Sequence, residues 1–313
     1  MADVPGFVAV PKDRSRALRL FGGILIASGI LCAGLSFLVL VSRFLAPGER
    51  QKPFVVYVAL AAALITLGIG TIRGRRWARH LTLIGSAASL AGALLGAPFT
   101  LWLVSRFVAT EPRLSSHGAT VRFAVLLPVV GVLLLLTLLP LAFLLFYRRR
   151  DVRETVERLD PDPGWTDRQP LPLIAAAVFF ATSALGWLTA LSRPVIPAPG
   201  AILTGNTARA LVLGIAVAGA AIAWGLYRGM RGAWLAAVVL SVAAAVLWLW
   251  TIRDLDFEAL QRAMGASDEE VAITRRFDLR PGLFVLTAVG AAAWTGYLVW
   301  IRRYLKRDPL VSR

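Results

Sequence analysis

The sequence predicts an all-α protein, a polytopic transmembrane helical bundle whose eight spans form two parallel four-helix repeats. Three observations predict it. Hydrophobic residues make up 58% of the 313-residue chain and charged residues only 17%. The apolar residues fall in runs of about 20, the length at which an α-helix crosses a bilayer. A basic turn after the second run recurs, with changes, after the sixth.

The apolar runs set the bounds of the predicted spans. They cover residues 20–41, 54–72, 81–104, 123–147, 171–191, 208–227, 233–252 and 283–301. Apart from Arg209 at the start of the sixth, no acidic, basic or amide side chain and no histidine falls inside them. Ion-coupled transporters ordinarily place an ionisable group at membrane depth. The lack of ionisable side chains inside the spans therefore argues against ion-coupled transport.

The runs divide the chain into a first repeat, 1–147, a cytoplasmic linker, 148–170, and a second repeat, 171–313. In the linker, apolar residues at 152, 156 and 159 follow helical spacing, and opposite charges four apart can pair at 153 with 157 and at 154 with 158. An amphipathic helix lying on the membrane surface is predicted over 151–159. Two more short helices are predicted within the last long loop, 253–281. Ser267 and Glu270 have the spacing of a capping box at the start of the second.

A repeat is indicated by adding 155 to the residue numbers of the first basic turn. Residues 70–80 then match 225–235 at five of eleven positions. Two explanations are possible. The chain contains an internal duplication, or the two turns resemble each other only because cytoplasmic loops are generally enriched in lysine and arginine. With four spans in each half, both halves enter the membrane from the same side.

Lysine and arginine also predict the orientation. The two tails, the two basic turns and the linker hold 21 of them, and the other four loops hold 13, of which five share the longest loop with seven acidic residues. Cytoplasmic loops are enriched in lysine and arginine. Both termini are therefore predicted in the cytoplasm. The net charge of +16 is spread over the ends of apolar runs, so it marks membrane orientation and gives no reason to expect nucleic acid.

No catalytic residue, cofactor or metal site is predicted. The two histidines, His80 and His117, fall on opposite predicted sides of the membrane, and no serine or cysteine has a histidine partner nearby. Asp160 and Asp162 resemble the start of a calcium loop, but Gly164, at the position of a ligand, contradicts it.

The basic turns are the candidate binding residues. Guanidinium groups match phosphate bidentately, and these turns stand at headgroup level, so anionic membrane lipids are the predicted partners. The competing interpretation is that the arginines only fix topology. The residues are Arg73, Arg75, Arg76 and Arg79 in the first turn and Arg228 and Arg231 in the second.

Taken together, these features favour an integral membrane protein that is not an enzyme and that acts as an accessory or scaffold protein. The alternative is a carrier or flippase for a lipid or other apolar substrate held between the two halves, with Arg73, Arg76, Arg228 and Arg231 guiding headgroups. No feature of the sequence indicates a protein partner or an oligomeric state.

Short motifs along the chain resemble those of uncharacterised multi-span inner-membrane proteins of bacteria. They are Thr155-Val156-Glu157, Asp160-Pro161, Trp165-Thr166-Asp167, Pro170-Leu171-Pro172, Leu203-Thr204-Gly205, Met264-Gly265 and the arginine-tryptophan turn. The resemblance implies a bacterial inner membrane and no particular activity. Members of that group carry cysteines at the positions of Val156 and Gln169, and this chain has neither, which removes any redox or metal role for such a pair.

Overall fold

The computed structural model describes residues 13–41, 51–110, 118–192, 194–268, 271–272 and 279–305, and these residues are almost entirely helical. The α-helices are α1 Ser15–Val41, α2 Gln51–Ile72, α3 Arg76–Thr110, α4 Gly118–Tyr147, α5 Arg150–Leu159, α6 Leu171–Leu188, α7 Gly205–Tyr227, α8 Arg231–Asp254, α9 Phe257–Met264 and α10 Arg280–Ile301. Short 3-10 turns cover Trp165–Asp167, Thr189–Ser192 and Arg302–Tyr304. The all-α prediction is confirmed.

Eight helices of the described chain are long and apolar enough to cross a membrane: α1 to α4, α6 to α8 and α10. Their outer surfaces are apolar, since Leu31, Leu127 and Val217 expose 66%, 73% and 68% of their area. A protein in water rarely exposes such continuous apolar surface. The chain is therefore a multi-pass integral membrane protein.

Several helices run beyond the predicted spans. α1 begins at Ser15 instead of residue 20, and α3 begins at Arg76 instead of residue 81. Hydropathy locates only the part of a helix that lipid surrounds, and the backbone can remain helical where arginine reaches the headgroups. The apolar runs thus predict the number of spans better than their ends.

The described chain divides into two compact units, one within residues 1–88 and 139–168 and the other within 89–138 and 169–313. In the first unit, α1 and α2 pack antiparallel on small residues. A Cβ added at Gly22 would lie 2.8 Å from the carbonyl oxygen of Gly68, and one added at Gly29 would lie 3.0 Å from that of Ala61. Backbones that approach so closely have no room for larger side chains.

The core of the second unit joins α6, α7, α8 and α10. Its centre is formed by Leu173, Phe180, Leu226, Leu298 and Ile301 among others. Two half-buried polar groups form hydrogen bonds between its helices. The Trp234 indole donates to the carbonyl oxygen of Leu298 at 2.7 Å, and the Tyr297 hydroxyl donates to that of Pro172 at 2.7 Å. Polar tips of aromatic residues satisfied in this way fix how the helices pair.

A small β-hairpin, which the sequence analysis did not foresee, lies between α6 and α7. Strand β1, Val195–Ala198, pairs antiparallel with β2, Ala201–Thr204. Pro199 and Gly200 make the turn, with Gly200 at a φ of +70°. Proline followed by glycine is a turn signal, and here it stands between two short apolar stretches.

The loop before α10 contains the first of its two predicted short helices. Asp256 accepts hydrogen bonds from the amides of Glu258 and Ala259 and so caps α9, which ends at Gly265 with a φ of +97°. Of the second predicted helix, residues 268, 271 and 272 are helical, and the remainder lies outside the described residues.

Candidate functional site: the linker on the first basic turn

The first basic turn, residues 73–79, reverses the chain between α2 and α3 by a glycine-dependent C-cap. Gly74 has a φ of +66° and its amide donates to Thr71, while the amide of Arg75 donates to Gly70, both at 2.9 Å. These are the two hydrogen bonds of a Schellman motif. A Cβ on Gly70 would come within 2.7 Å of the Ala78 side chain, so this glycine lets the two helices meet at the turn.

The second basic turn, residues 228–234, has the same backbone arrangement. Gly229 has a φ of +72°, its amide donates to Leu226, and the amide of Met230 donates to Gly225 at 2.9 Å. Gly225 in turn faces Ala233, as Gly70 faces Ala78. The identities found in sequence thus fall on positions with the same structural role.

Asp160, at the end of α5, caps α3 from 84 residues away. Its carboxylate accepts from the backbone amide of Arg76 and from the Arg75 guanidinium, each at 3.0 Å. The Arg76 guanidinium donates to the carbonyl oxygens of Asp160 and Pro161. Helix N-termini leave amides unpaired, and a carboxylate placed there also meets the positive end of the helix dipole. The linker, residues 148–170, is thereby fixed to the start of α3.

Further contacts hold the linker along the same face. The Arg79 guanidinium donates to the carbonyl oxygen of Tyr147 at 3.2 Å, and His80 Nδ1 lies 3.0 Å from the buried hydroxyl of Thr166. Leu159 rests on Gly74, where an added Cβ would lie 2.9 Å from the Leu159 Cβ. The Leu159 side chain of the linker therefore packs directly against the backbone of the turn at Gly74.

The start of α1 closes the arrangement. The Arg14 guanidinium pairs with Asp151 at 2.6 Å, and the amide of Arg14 donates to the hydroxyl of Thr155 at 3.3 Å. The hydrogen bond from Arg14 is the main cause that lowers the pKa of the Asp151 carboxyl. The N-terminal end of α1 and the first basic turn thus both contact the linker, the former at Asp151 and Thr155 and the latter at Asp160 and Pro161.

The linker helix corrects one expectation. The amphipathic helix is present as α5, but Val152 and Val156 are buried inside the protein, so its apolar face does not lie on the membrane surface. Periodicity shows that a helix has an apolar face and does not show what covers it.

Ion pairs on the outer face of α5 follow the prediction only in part. Arg153 pairs with Glu157 at 2.7 Å, as predicted, and this hydrogen bond lowers the pKa of the Glu157 carboxyl. Glu154 pairs instead with Arg150 at 2.7 Å, and Arg158 donates to the Glu154 carbonyl oxygen. Because helix positions three and four apart are neighbours, either choice was open to Glu154.

The candidate lipid-contact arginines have different environments. Arg75, Arg76 and Arg79 donate to acceptors of the linker or of Tyr147, as described above. Arg73 is exposed. In the other compact unit, Arg228 is exposed and stacks over Trp224 at 4.8 Å, and Arg231 is exposed.

The sequence analysis assigned no contact to the residues that hold the linker in place. These are Asp160, which accepts from Arg75 and Arg76, Thr166, which contacts His80, and Asp151, which pairs with Arg14. Asp160 was considered for a calcium loop, which was rejected, and as part of a short family motif. A signal existed, because the linker carries acidic residues at the level predicted for the most basic turn of the chain. Among the described residues, no three His, Cys, Asp or Glu side chains converge as a metal site would require.

Comparison of the chain with protein-family models, with curated proteins and with solved structures finds no match.

Proposed function

We propose that this protein is a non-enzymatic accessory or scaffold protein of the bacterial inner membrane, and that its linker is a preformed contact surface for a protein partner on the cytoplasmic face. The observation that carries the proposal is the docking of the linker on the first basic turn. A segment that served only to join two halves would not need its carboxylates to cap a distant helix.

The outer face of α5 supplies the contact surface. Its inward residues are buried, and the Arg150 and Arg153 side chains expose 91% and 63% of their area next to Glu154 and Glu157. Such a mixed charged face gives a partner orientation and specificity. A surface that is already ordered loses less conformational entropy on binding than a disordered loop does.

The cytoplasmic placement of this surface is part of the proposal. Both termini, both basic turns and the linker belong to the side with 21 lysines and arginines. Reporter fusions at each terminus and within the hairpin 195–204 test it, with the termini expected inside and the hairpin outside. Termini found on different sides would refute it.

We infer, in addition, that the two halves arose by duplication. The offset of 155 relates buried positions across the two units: Leu18 and Leu173, Gly22 and Ala177, Gly68 and Ala223, Phe143 and Leu298. At each pair a residue of similar size class occupies the packed face of the corresponding helix. Resemblance between basic turns alone would give no reason for these helix positions to agree, which favours duplication over convergence.

A crosslinking experiment in cells tests the scaffold role. A photoreactive amino acid at Arg153 is expected to give an adduct with a discrete protein, because that position lies on the outer face of α5. The adduct should weaken in an Asp160→Ala variant, in which the ratio of docked to undocked linker falls, and be kept in Asp162→Ala. Asp162 is exposed and forms no hydrogen bond or ion pair with any described residue. Its replacement by alanine therefore removes the same charge as Asp160→Ala but leaves the cap of α3 in place. No adduct, or an adduct indifferent to Asp160→Ala, contradicts the proposal.

A carrier for a lipid or other apolar substrate is the second candidate, and the exposed Arg73, Arg228 and Arg231 favour it. Its test is lipid scrambling by the purified protein in vesicles, together with the phospholipid retained on purification. Replacing all three arginines by alanine would lower both quantities if they guide headgroups. Unchanged retention and no scrambling by the native protein would exclude this function.

A further inference from the structure

A cleft within the second compact unit lies between the C-terminal part of α3 and the first turns of α10. It has a volume of about 640 Å³, in the range of small-molecule sites. Thirteen residues line it, and all are apolar except Arg106. The cleft begins at Leu94, within the part of α3 that belongs to this unit.

Proline and glycine shape the cleft walls. Pro98 lies inside α3, where it has no amide to donate to the carbonyl oxygen of Leu94, and both residues face the cleft. On the other wall, a Cβ added at Gly282 would lie 2.7 Å from the Trp102 ring and 2.8 Å from the Phe99 ring. The aromatic rings of α3 therefore close one end of the cleft against the backbone of α10.

The opposite side of the cleft is open. Val285 and Val289 line it and expose 60% and 49% of their area. On a membrane-spanning helix, exposed apolar surface meets lipid, so an acyl chain is the occupant available along the length of the cleft. Water would find almost no polar partners there.

The single charged residue determines which lipid fits. Arg106 stands at the end of the apolar lining, one helical turn beyond Trp102, and its guanidinium lies 6.0 Å from the Trp102 ring. A tryptophan and an arginine together at the end of a span are typical of headgroup level. A guanidinium at that level is complementary to a phosphate.

We propose that this cleft is a binding site for one anionic phospholipid, with an acyl chain along Leu94, Phe99 and Leu286 and the phosphate at Arg106. The site lies in the C-terminal part of α3. It does not depend on the scaffold role, because it shares no residue with the linker, and either proposal can fail without the other.

Photolabelling with a defined probe tests the site. The full-length protein is placed in phosphatidylcholine vesicles that contain a minority of phosphatidylglycerol, with a diazirine on the acyl chain of one or the other lipid. Peptides 94–106 and 279–289 are expected to carry the phosphatidylglycerol label in preference to peptide 54–66 of α2, which is also lipid-exposed. Arg106→Gln should lower that label by about tenfold, the scale of one lost charge-assisted contact. It should lower phosphatidylcholine labelling much less, because the choline cation already offsets the charge of that lipid's phosphate.

Two further variants complete the test. Val289→Trp fills the cleft without changing its charge and should lower labelling by both probes. Arg209→Gln replaces an exposed arginine at the start of α7 and should change neither. The proposal is overturned if Arg106→Gln behaves like Arg209→Gln, if Val289→Trp labels as the native protein does, or if the cleft peptides take no more label than peptide 54–66.

Discussion

Replacing Asp160 by alanine tests how firmly the linker is held. The variant leaves the first amide of α3, that of Arg76, without its acceptor and removes the ion pair to Arg75. Loss of an N-cap costs about 1 kcal/mol. The ion pair adds less than about 1 kcal/mol, because the Arg75 side chain is 53% exposed. A total of about 1–2 kcal/mol lowers the ratio of docked to undocked linker roughly 5- to 30-fold.

Hydrogen–deuterium exchange in lipid nanodiscs measures this change directly. Peptides covering the first turn of α3 and the helix α5 should lose protection by a similar factor in Asp160→Ala, while peptides in the middle of α1 and α2 stay protected. The control is Asp162→Ala, which should exchange as the native protein does. Equal exchange in the two variants, or a loss that spreads through every helix, would refute the assignment of Asp160 as the cap.

Three further predictions concern packing, backbone and pH. Gly22→Ala should lower the melting temperature in detergent, because overpacking costs about 1–3 kcal/mol. Gly23→Ala should not lower it, because a Cβ added at Gly23 meets nothing within 4 Å. Equal melting temperatures of the two variants would contradict the close approach of α1 and α2. Gly74→Ala should release the linker, because a left-handed residue with a side chain costs about 1–2 kcal/mol, and protease protection of α5 should fall. The contact between Arg14 and Asp151 should persist above about pH 4, the ordinary pKa of aspartate, and be lost only as the pH falls through the lowered folded pKa. Spin-label distances between α1 and the linker would show release near neutral pH if that reasoning were wrong.

The sequence predicts the spans well because one physical term dominates there. Twenty apolar residues without a charge are stable as a helix in lipid whatever their neighbours are, so composition along the chain is sufficient. The residues that decide where a span lies are close together in sequence.

The candidate site depended on contacts between distant residues. Asp160 meets Arg76 across 84 positions, and Arg14 meets Asp151 across 137. Charge alone could indicate that a linker with six acidic residues and a basic turn lie on the same predicted side. It could not distinguish arginines that bind lipid from arginines that hold the linker. The same limit explains why α5 was expected on the membrane surface. An apolar face suits either lipid or protein, and only the fold decides.

Crosslinking of His80 to Thr166 most directly tests the central claim, that the linker lies on the first basic turn while the chain is in its membrane. The two side chains are in hydrogen-bonding contact at 3.0 Å. In a Cys32→Ser background, His80→Cys with Thr166→Cys should form a disulfide on mild oxidation of intact membrane vesicles, much faster than His80→Cys with Asp162→Cys. Equal rates for the two pairs, or no bond in either, would mean that turn and linker do not meet.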